Sequence, residues 1–132
     1  MPRTSVDAAS DAPQPIGPYA VAASGVEPSR LVFLSGQTPI DPATGRLVDG
    51  DIAAQTRQVF RNLRAVLTAA GGSFADVVKV NVYLTAMADF AEMNEVYRAE
   101  FTAPYPARTT VAVAGLPLGA RVEIELVAAL PV

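Results

Sequence analysis

The chain has 132 residues, 51% of them hydrophobic and 17% charged, with a net charge of −3, no cysteine and no histidine. That size and composition predict one globular domain rather than a disordered chain, and the charge argues against a nucleic-acid partner. The missing residue types exclude disulfides, thiolate nucleophiles, imidazole bases and the commonest metal ligands.

Nowhere is there an apolar run of about 18 residues, the least that spans a bilayer, and residues 1–15 lack the apolar core of a secretory signal. A soluble, cytoplasmic protein without membrane contact is expected. Residues 1–15, MPRTSVDAASDAPQP, read as a flexible arm, and residues 16–132 as the folded domain.

Residues 19–24 and 31–35 read as two short strands. The turn between them contains Gly25, Pro28 and Ser29, which suggests an antiparallel hairpin. Residues 36–50, GQTPIDPATGRLVDG, form a long structured loop in which Gly45 supplies a positive φ. Asp51 is placed to cap a helix whose inner face carries Ile52, Val59, Leu63, Val66, Leu67 and Ala70, and Gly71 with Gly72 ends it.

Val78, Val80, Val82 and Leu84 alternate with Lys79, Asn81 and Tyr83, the period of a strand with one face in the core. A second helix follows from about residue 88, with Phe90, Met93, Tyr97 and Phe101 on one face and with Pro104 and Pro106 to stop it. Two last strands, residues 109–114 and 122–130, flank a turn at Pro117 and Gly119. In the second of them Val122, Ile124 and Leu126 face one way, and Glu123, Glu125, Val127 and Ala129 the other.

The order predicts an α+β fold whose two helices cover one face of the sheet. The other face is partly apolar and partly acidic, and a second subunit is the expected cover.

Several charged residues read as ordinary surface. Arg57, Arg61 and Arg64 form a basic stripe on one helical face, and Glu92 and Glu95 lie on the second helix. Lys79, the one lysine, reads as a solvated or ion-paired strand residue rather than a Schiff-base former. Asp41 and Asp49 lack the spacing of a calcium loop. Neither a metal nor a cofactor is expected.

Read in order, IGPY at residues 16–19, SGQTPIDPATG at 35–45, QT at 55–56, VVKVNVYL at 77–84, MNEVY at 93–97, PART at 106–109 and VEIE at 122–125 resemble the RidA family, also called YjgF. The resemblance implies a chorismate-mutase-like α+β domain, a mixed sheet with two helices on one face, and a homotrimer with ligand sites between subunits. It also implies that Arg108 holds a substrate carboxylate and that Glu123 positions water. Tyr19, Ser35, Gly36 and Asn94 match positions lining the cleft, and Thr110 stands where its amide or hydroxyl can add a carboxylate contact.

Chemistry supports those residue types. A planar guanidinium takes a carboxylate through two parallel hydrogen bonds. An imine carbon is already electrophilic, so its hydrolysis needs a placed water and a proton acceptor but no metal. Structural alternatives exist for both: Arg108 as a surface or interface ion-pair partner, Glu123 as a salt-bridge partner of Arg121 or of a neighbouring subunit.

The function implied is that of a 2-iminobutanoate/2-iminopropanoate deaminase, a hydrolase acting on C=N bonds of reactive intermediates, with small 2-imino and 2-keto acids as its ligands. The alternatives are a deaminase dedicated to one pathway, of aminoacrylate or aminomuconate type, and a non-catalytic trimer that binds small carboxylates or regulates. Ribonuclease activity fits badly with the net negative charge and the absence of histidine.

Overall fold

The protein is described by a computed structural model covering residues 3–7 and 10–132. The first helix, α1, runs Ile52–Ala70: the Asp51 carboxylate accepts from the Ala54 amide at 2.9 Å, and Gly71, at φ 90°, closes the other end. Ile52, Val59, Phe60, Leu63 and Leu67 are buried along it, whereas Val66, expected inside, is 40% exposed. Val66 and Phe60 sit on opposite flanks of the Leu63 stripe. The second helix packs on the Phe60 flank, where Phe60 meets the rings of Phe74, Tyr97 and Phe101 edge-on.

That second helix, α2, spans Phe90–Glu100 after a one-turn 3-10 segment, Met87–Asp89. Met93, Val96 and Tyr97 are buried, as is Phe101 just beyond, which keeps the spacing of three and four read from the sequence. Phe101 is already extended, ahead of Pro104 and Pro106.

The main sheet has four strands: β3 (Ser29–Gln37), β6 (Val77–Leu84), β7 (Ala107–Ala112) and β8 (Val122–Pro131), in the order β3-β8-β6-β7. β8 is antiparallel to both its neighbours, while β6 and β7 are parallel and joined through α2. The helices cover one face, on which Val80, Val82, Leu84, Val122, Ile124 and Leu126 are all buried. The sequence placed Val78 in that row, but it is half-buried and Val77 takes the core position, because the register against β8 shifts between Val77 and Lys79. A small hairpin, β4 (Ile40–Asp41) with β5 (Arg46–Leu47), sits within the long loop, with Gly45 at φ 72°.

Two expectations for the first third of the chain are corrected. Residues 19–24 do not form a hairpin with the next strand: β2 (Ala22–Ser24) pairs with β1 (Thr4–Val6), and β3 pairs with β8 from Ser29↔Pro131 to Gln37↔Ile124. The long β8 offers β3 a partner along its whole length, which a three-residue strand cannot. Within the expected arm, Thr4–Val6 is a strand and Arg3 is buried, so these residues join the fold; residues 1, 2, 8 and 9 of the expected arm lie outside the described residues.

The face away from the helices is open, with Leu31 59%, Phe33 72% and Val111 39% exposed. No helix among the described residues is long and apolar enough to cross a membrane. Removing the cap of α1 by Asp51→Ala should cost about 1 kcal/mol, read as a lower urea midpoint at unchanged slope; an unchanged midpoint would mean that solvent replaces the cap without loss.

Candidate functional site

Arg108 follows the first residue of β7 and pairs in parallel register with Val80, whose side chain is in the core, so Arg108 points to the helix-covered face. There the guanidinium carbon lies 4.7 Å from the Tyr97 ring centroid, 5.6 Å from that of Phe90 and 5.4 Å from that of Tyr19. Its Nη1 donates to the side-chain amide oxygen of Asn94, Oδ1, at 2.6 Å, its one hydrogen bond among the described residues. Burial pushes the guanidinium below its ordinary basicity, against the opposing influence of Tyr97 and Tyr19.

Local structure explains the box. Phe90, Asn94 and Tyr97 recur at spacings of four and three, so one face of α2 lies over the edge strand. Tyr19 arrives from the IGPY turn, in which its amide donates to the Gly17 carbonyl at 2.8 Å. The next residue, Ala20, donates to the Pro106 carbonyl at 3.0 Å and bridges to Ala107 beside the arginine. Thr110, opposite Val82, shares this face, and its hydroxyl is buried without a partner among the described residues.

Glu123 belongs to the other face. It pairs with Tyr83, between the inward-facing Val122 and Ile124. Opposite, the register of β3 shifts between Leu34 and Gln37, which leaves Ser35 and Gly36 in a bulge. The Glu123 carboxylate lies over Gly36, in the volume a Cβ would take. Glu123 accepts no hydrogen bond among the described residues, whereas Glu125, two positions along, accepts from the Tyr83 hydroxyl at 2.6 Å. That bond is the chief cause of the raised Tyr83 pKa, with burial second.

Two of the structural alternatives now have answers. Arg121 pairs with Asp89 at 2.8 Å, so it is not Glu123's partner. Lys79 donates to the Thr109 hydroxyl at 3.0 Å on the open face. Of the basic stripe, Arg64 bonds Glu100 at 2.6 Å and lies over the Phe74 ring at 5.0 Å.

Within one chain, then, Arg108, Tyr19 and Asn94 come together with Thr110 on their face, and Glu123 comes together with Gly36 and the adjacent Ser35. The sheet stands between the two groups. Sequence reasoning missed Phe90 and Tyr97 as walls of the arginine box, because a ring in a helical stripe reads as core. Both are core, and both also hold a cation. The Tyr97 hydroxyl is buried with no partner among the described residues, and burial raises its pKa.

Comparison with known proteins agrees with this architecture. Residues 9–130 match the family model described as Endoribonuclease L-PSP. A RutC family protein of Pyrococcus horikoshii is 52% identical over 89% of this chain and 91% of its own. A 2-iminobutanoate/2-iminopropanoate deaminase of Dermatophagoides farinae is 46% identical over 86% of this chain and 87% of its own. Among solved structures, RidA from an Antarctic Psychrobacter superimposes with a TM-score of 0.74 at 48% identity, covering 90% of this chain and 94% of that one.

The contact at Gly36 yields a direct test. An alanine there must displace the Glu123 carboxylate, the far end of a flexible side chain, so Gly36→Ala should fold with little loss of stability while Glu123 adopts another rotamer. A crystal structure of the variant with Glu123 unmoved would contradict this account of the bulge.

Proposed function

Because the chain belongs to the RidA/YjgF family, whose model spans residues 9–130, we propose that it is an imine deaminase. In this reading it hydrolyses 2-iminobutanoate, 2-iminopropanoate and related enamine or imine intermediates to 2-keto acids and ammonia, in sites shared between the subunits of a homotrimer. The observation that carries the reading is the Arg108 box. A guanidinium walled by three rings and fixed at one nitrogen by Asn94 keeps donors for a planar anion such as a carboxylate. The relative from Dermatophagoides farinae carries the name of this activity.

The chemistry follows from the two groups of residues. Arg108 takes the substrate carboxylate, Tyr19 walls the cleft, and the face of Thr110 adds a polar contact. Glu123, which accepts no hydrogen bond among the described residues, holds a water against the imine carbon and accepts its proton as the C–O bond forms and the C=N π pair moves to nitrogen. Passing that proton to nitrogen gives the carbinolamine; Glu123 then takes the hydroxyl proton and delivers it to nitrogen as the C=O bond forms and the C–N bond breaks, so that ammonia leaves and the 2-keto acid remains. No redox step or cofactor enters.

Two features support a shared site. Arg108 and Glu123 lie on opposite faces of one sheet, so a cleft using both must take them from different chains. The open face carries exposed Leu31 and Phe33, which a neighbouring subunit would cover. A pure carboxylate binder has no use for a second carboxylate such as Glu123 near its anionic ligand, which favours turnover over binding alone.

Sedimentation at micromolar protein should give a particle of about three chains; a stable monomer would remove the shared site. Replacing the two charged residues should produce different failures. Arg108→Lys keeps the charge and loses the fork, costing about 2 kcal/mol or more in carboxylate recognition and affecting both KM and kcat. Glu123→Gln should leave keto-acid affinity equal or tighter while slowing imine hydrolysis about 100-fold or more, and Glu125→Gln should matter far less. The readouts are calorimetric 2-oxobutanoate affinity and hydrolysis of imines generated by an amino-acid oxidase. Wild-type hydrolysis by Glu123→Gln would refute the general base.

A further inference from the structure

Arg3 is 5% exposed, and the hydrogen-bond partners of its side chain among the described residues are main-chain oxygens. Its guanidinium donates from Nε to the Pro104 carbonyl at 2.7 Å and from Nη2 to that of Thr102 at 2.9 Å. From Nη1 it reaches the carbonyls of Phe74 at 2.8 Å, Ala75 at 3.1 Å and Val77 at 3.3 Å. The Arg3 amide adds a bond to the Ala75 carbonyl at 3.2 Å, and the Phe101 ring centroid lies 5.4 Å from the guanidinium carbon.

All these acceptors are main-chain oxygens, and they belong to two segments far apart in sequence. One, residues 74–77, leads into β6; the other, residues 102–104, leads from α2 to β7. A planar fork with five N–H donors can bridge both at once, which a lysine ammonium, a compact donor at the end of a flexible stem, cannot match. Burying a charge among neutral carbonyls is a weak route to stability. What the arrangement fixes is how the two segments lie against each other.

Both lead to the arginine box. β7 pairs with β6 from Lys79↔Ala107, and Arg108 is the next residue. Arg3 also immediately precedes β1, whose pairing with β2, Thr4↔Ser24 to Val6↔Ala22, holds the chain just beyond Tyr19 and Ala20. Ala20 in turn bonds Pro106 and bridges to Ala107. The arm is thus tied to the segment leading into β7 twice, through the Arg3 side chain and through the chain that β2 holds, whose Ala20 follows Tyr19 and bridges to the residue before Arg108.

We propose that Arg3 is a positioning residue for the arginine box: the N-terminal arm is a strap that sets Arg108 and Tyr19 against one another and thereby tunes carboxylate binding. The consequence for substrate rests on the deaminase reading; the effect on the placement of Arg108 does not.

The test compares the full chain with Arg3→Ala and Arg3→Lys. Three quantities are read: KM and kcat for imine hydrolysis, calorimetric affinity for 2-oxobutanoate, and the Nε–H NMR resonance of Arg108, which ring currents from Tyr19 and Tyr97 displace. In folded Arg3→Ala, KM and the 2-oxobutanoate Kd should rise about tenfold or more, kcat should stay within about threefold, and the Arg108 resonance should move. Arg3→Lys, which keeps the charge without the fork, should fall between. A merely structural role would lower the unfolding midpoint and the active fraction, leaving KM and Kd as in wild type, and that result overturns the proposal. If Arg3→Ala does not fold, Arg3→Lys decides by the same criterion. If wild type neither hydrolyses imines nor binds 2-oxobutanoate, the deaminase reading fails by itself, and the strap is judged on the Arg108 resonance, whose constancy in the variants would overturn it.

Discussion

The pleat of one four-stranded sheet governs where every candidate side chain can act. Residues that pair across strands share a face, so Arg108, Val80 and Leu126 line one side while Glu123 and Tyr83 line the other. The helices cover the first face, and this is how a charged residue on an edge strand comes to lie beneath aromatic rings. The second face is left with two carboxylates and exposed aliphatic and aromatic groups. Neither residue could be moved to the other's face without slipping a strand by one residue, which in β8 would turn Val122, Ile124 and Leu126 outward.

Two arginines, Arg3 buried and Arg108 half-buried, illustrate how the same side chain is put to different uses. Burial lowers the basicity of both, and both lie near the Tyr97 ring system. Arg3 donates from all three guanidinium nitrogens to main-chain carbonyls, so its bonding is closed. Arg108 has three ring faces and one amide oxygen as company. A ring stabilises a cation without using its N–H groups, so Arg108 stays desolvated and still has donors to offer. Saturated donors make a latch; donors kept available beside aromatic walls make a binding group.

The two glutamates of β8 show the same contrast on the open face. Glu125 is engaged by the Tyr83 hydroxyl, while Glu123 lies across a bulge over a residue with no side chain. Gly36 is small so that Glu123 can be there. Bulges commonly re-aim a side chain beside a functional site, and here the extra residue of β3 opens the space that the carboxylate fills.

Local signals in the sequence determined the helices and the core rows of the strands. Asp51 and Gly71 marked the ends of α1, spacings of three and four gave the buried face of α2, and alternation gave the inward rows of β8 and, apart from Val78, of β6. Each depends only on residues within a turn or two of one another. The phrases at residues 16–19, 106–109 and 122–125 named Tyr19, Arg108 and Glu123 as candidates without saying where they would meet. Tertiary structure alone decided that β3 pairs with β8 rather than with the strand before it, that Arg3 and Thr4–Val6 belong to the fold, and that Phe60 rather than Val66 faces α2. It also decided that Arg108 and Glu123 lie on opposite faces, with Phe90 and Tyr97 as the arginine's walls. The reason is that strand pairing and helix docking join residues tens of positions apart, and periodicity along the chain tells which side of an element is apolar but not which other element will cover it.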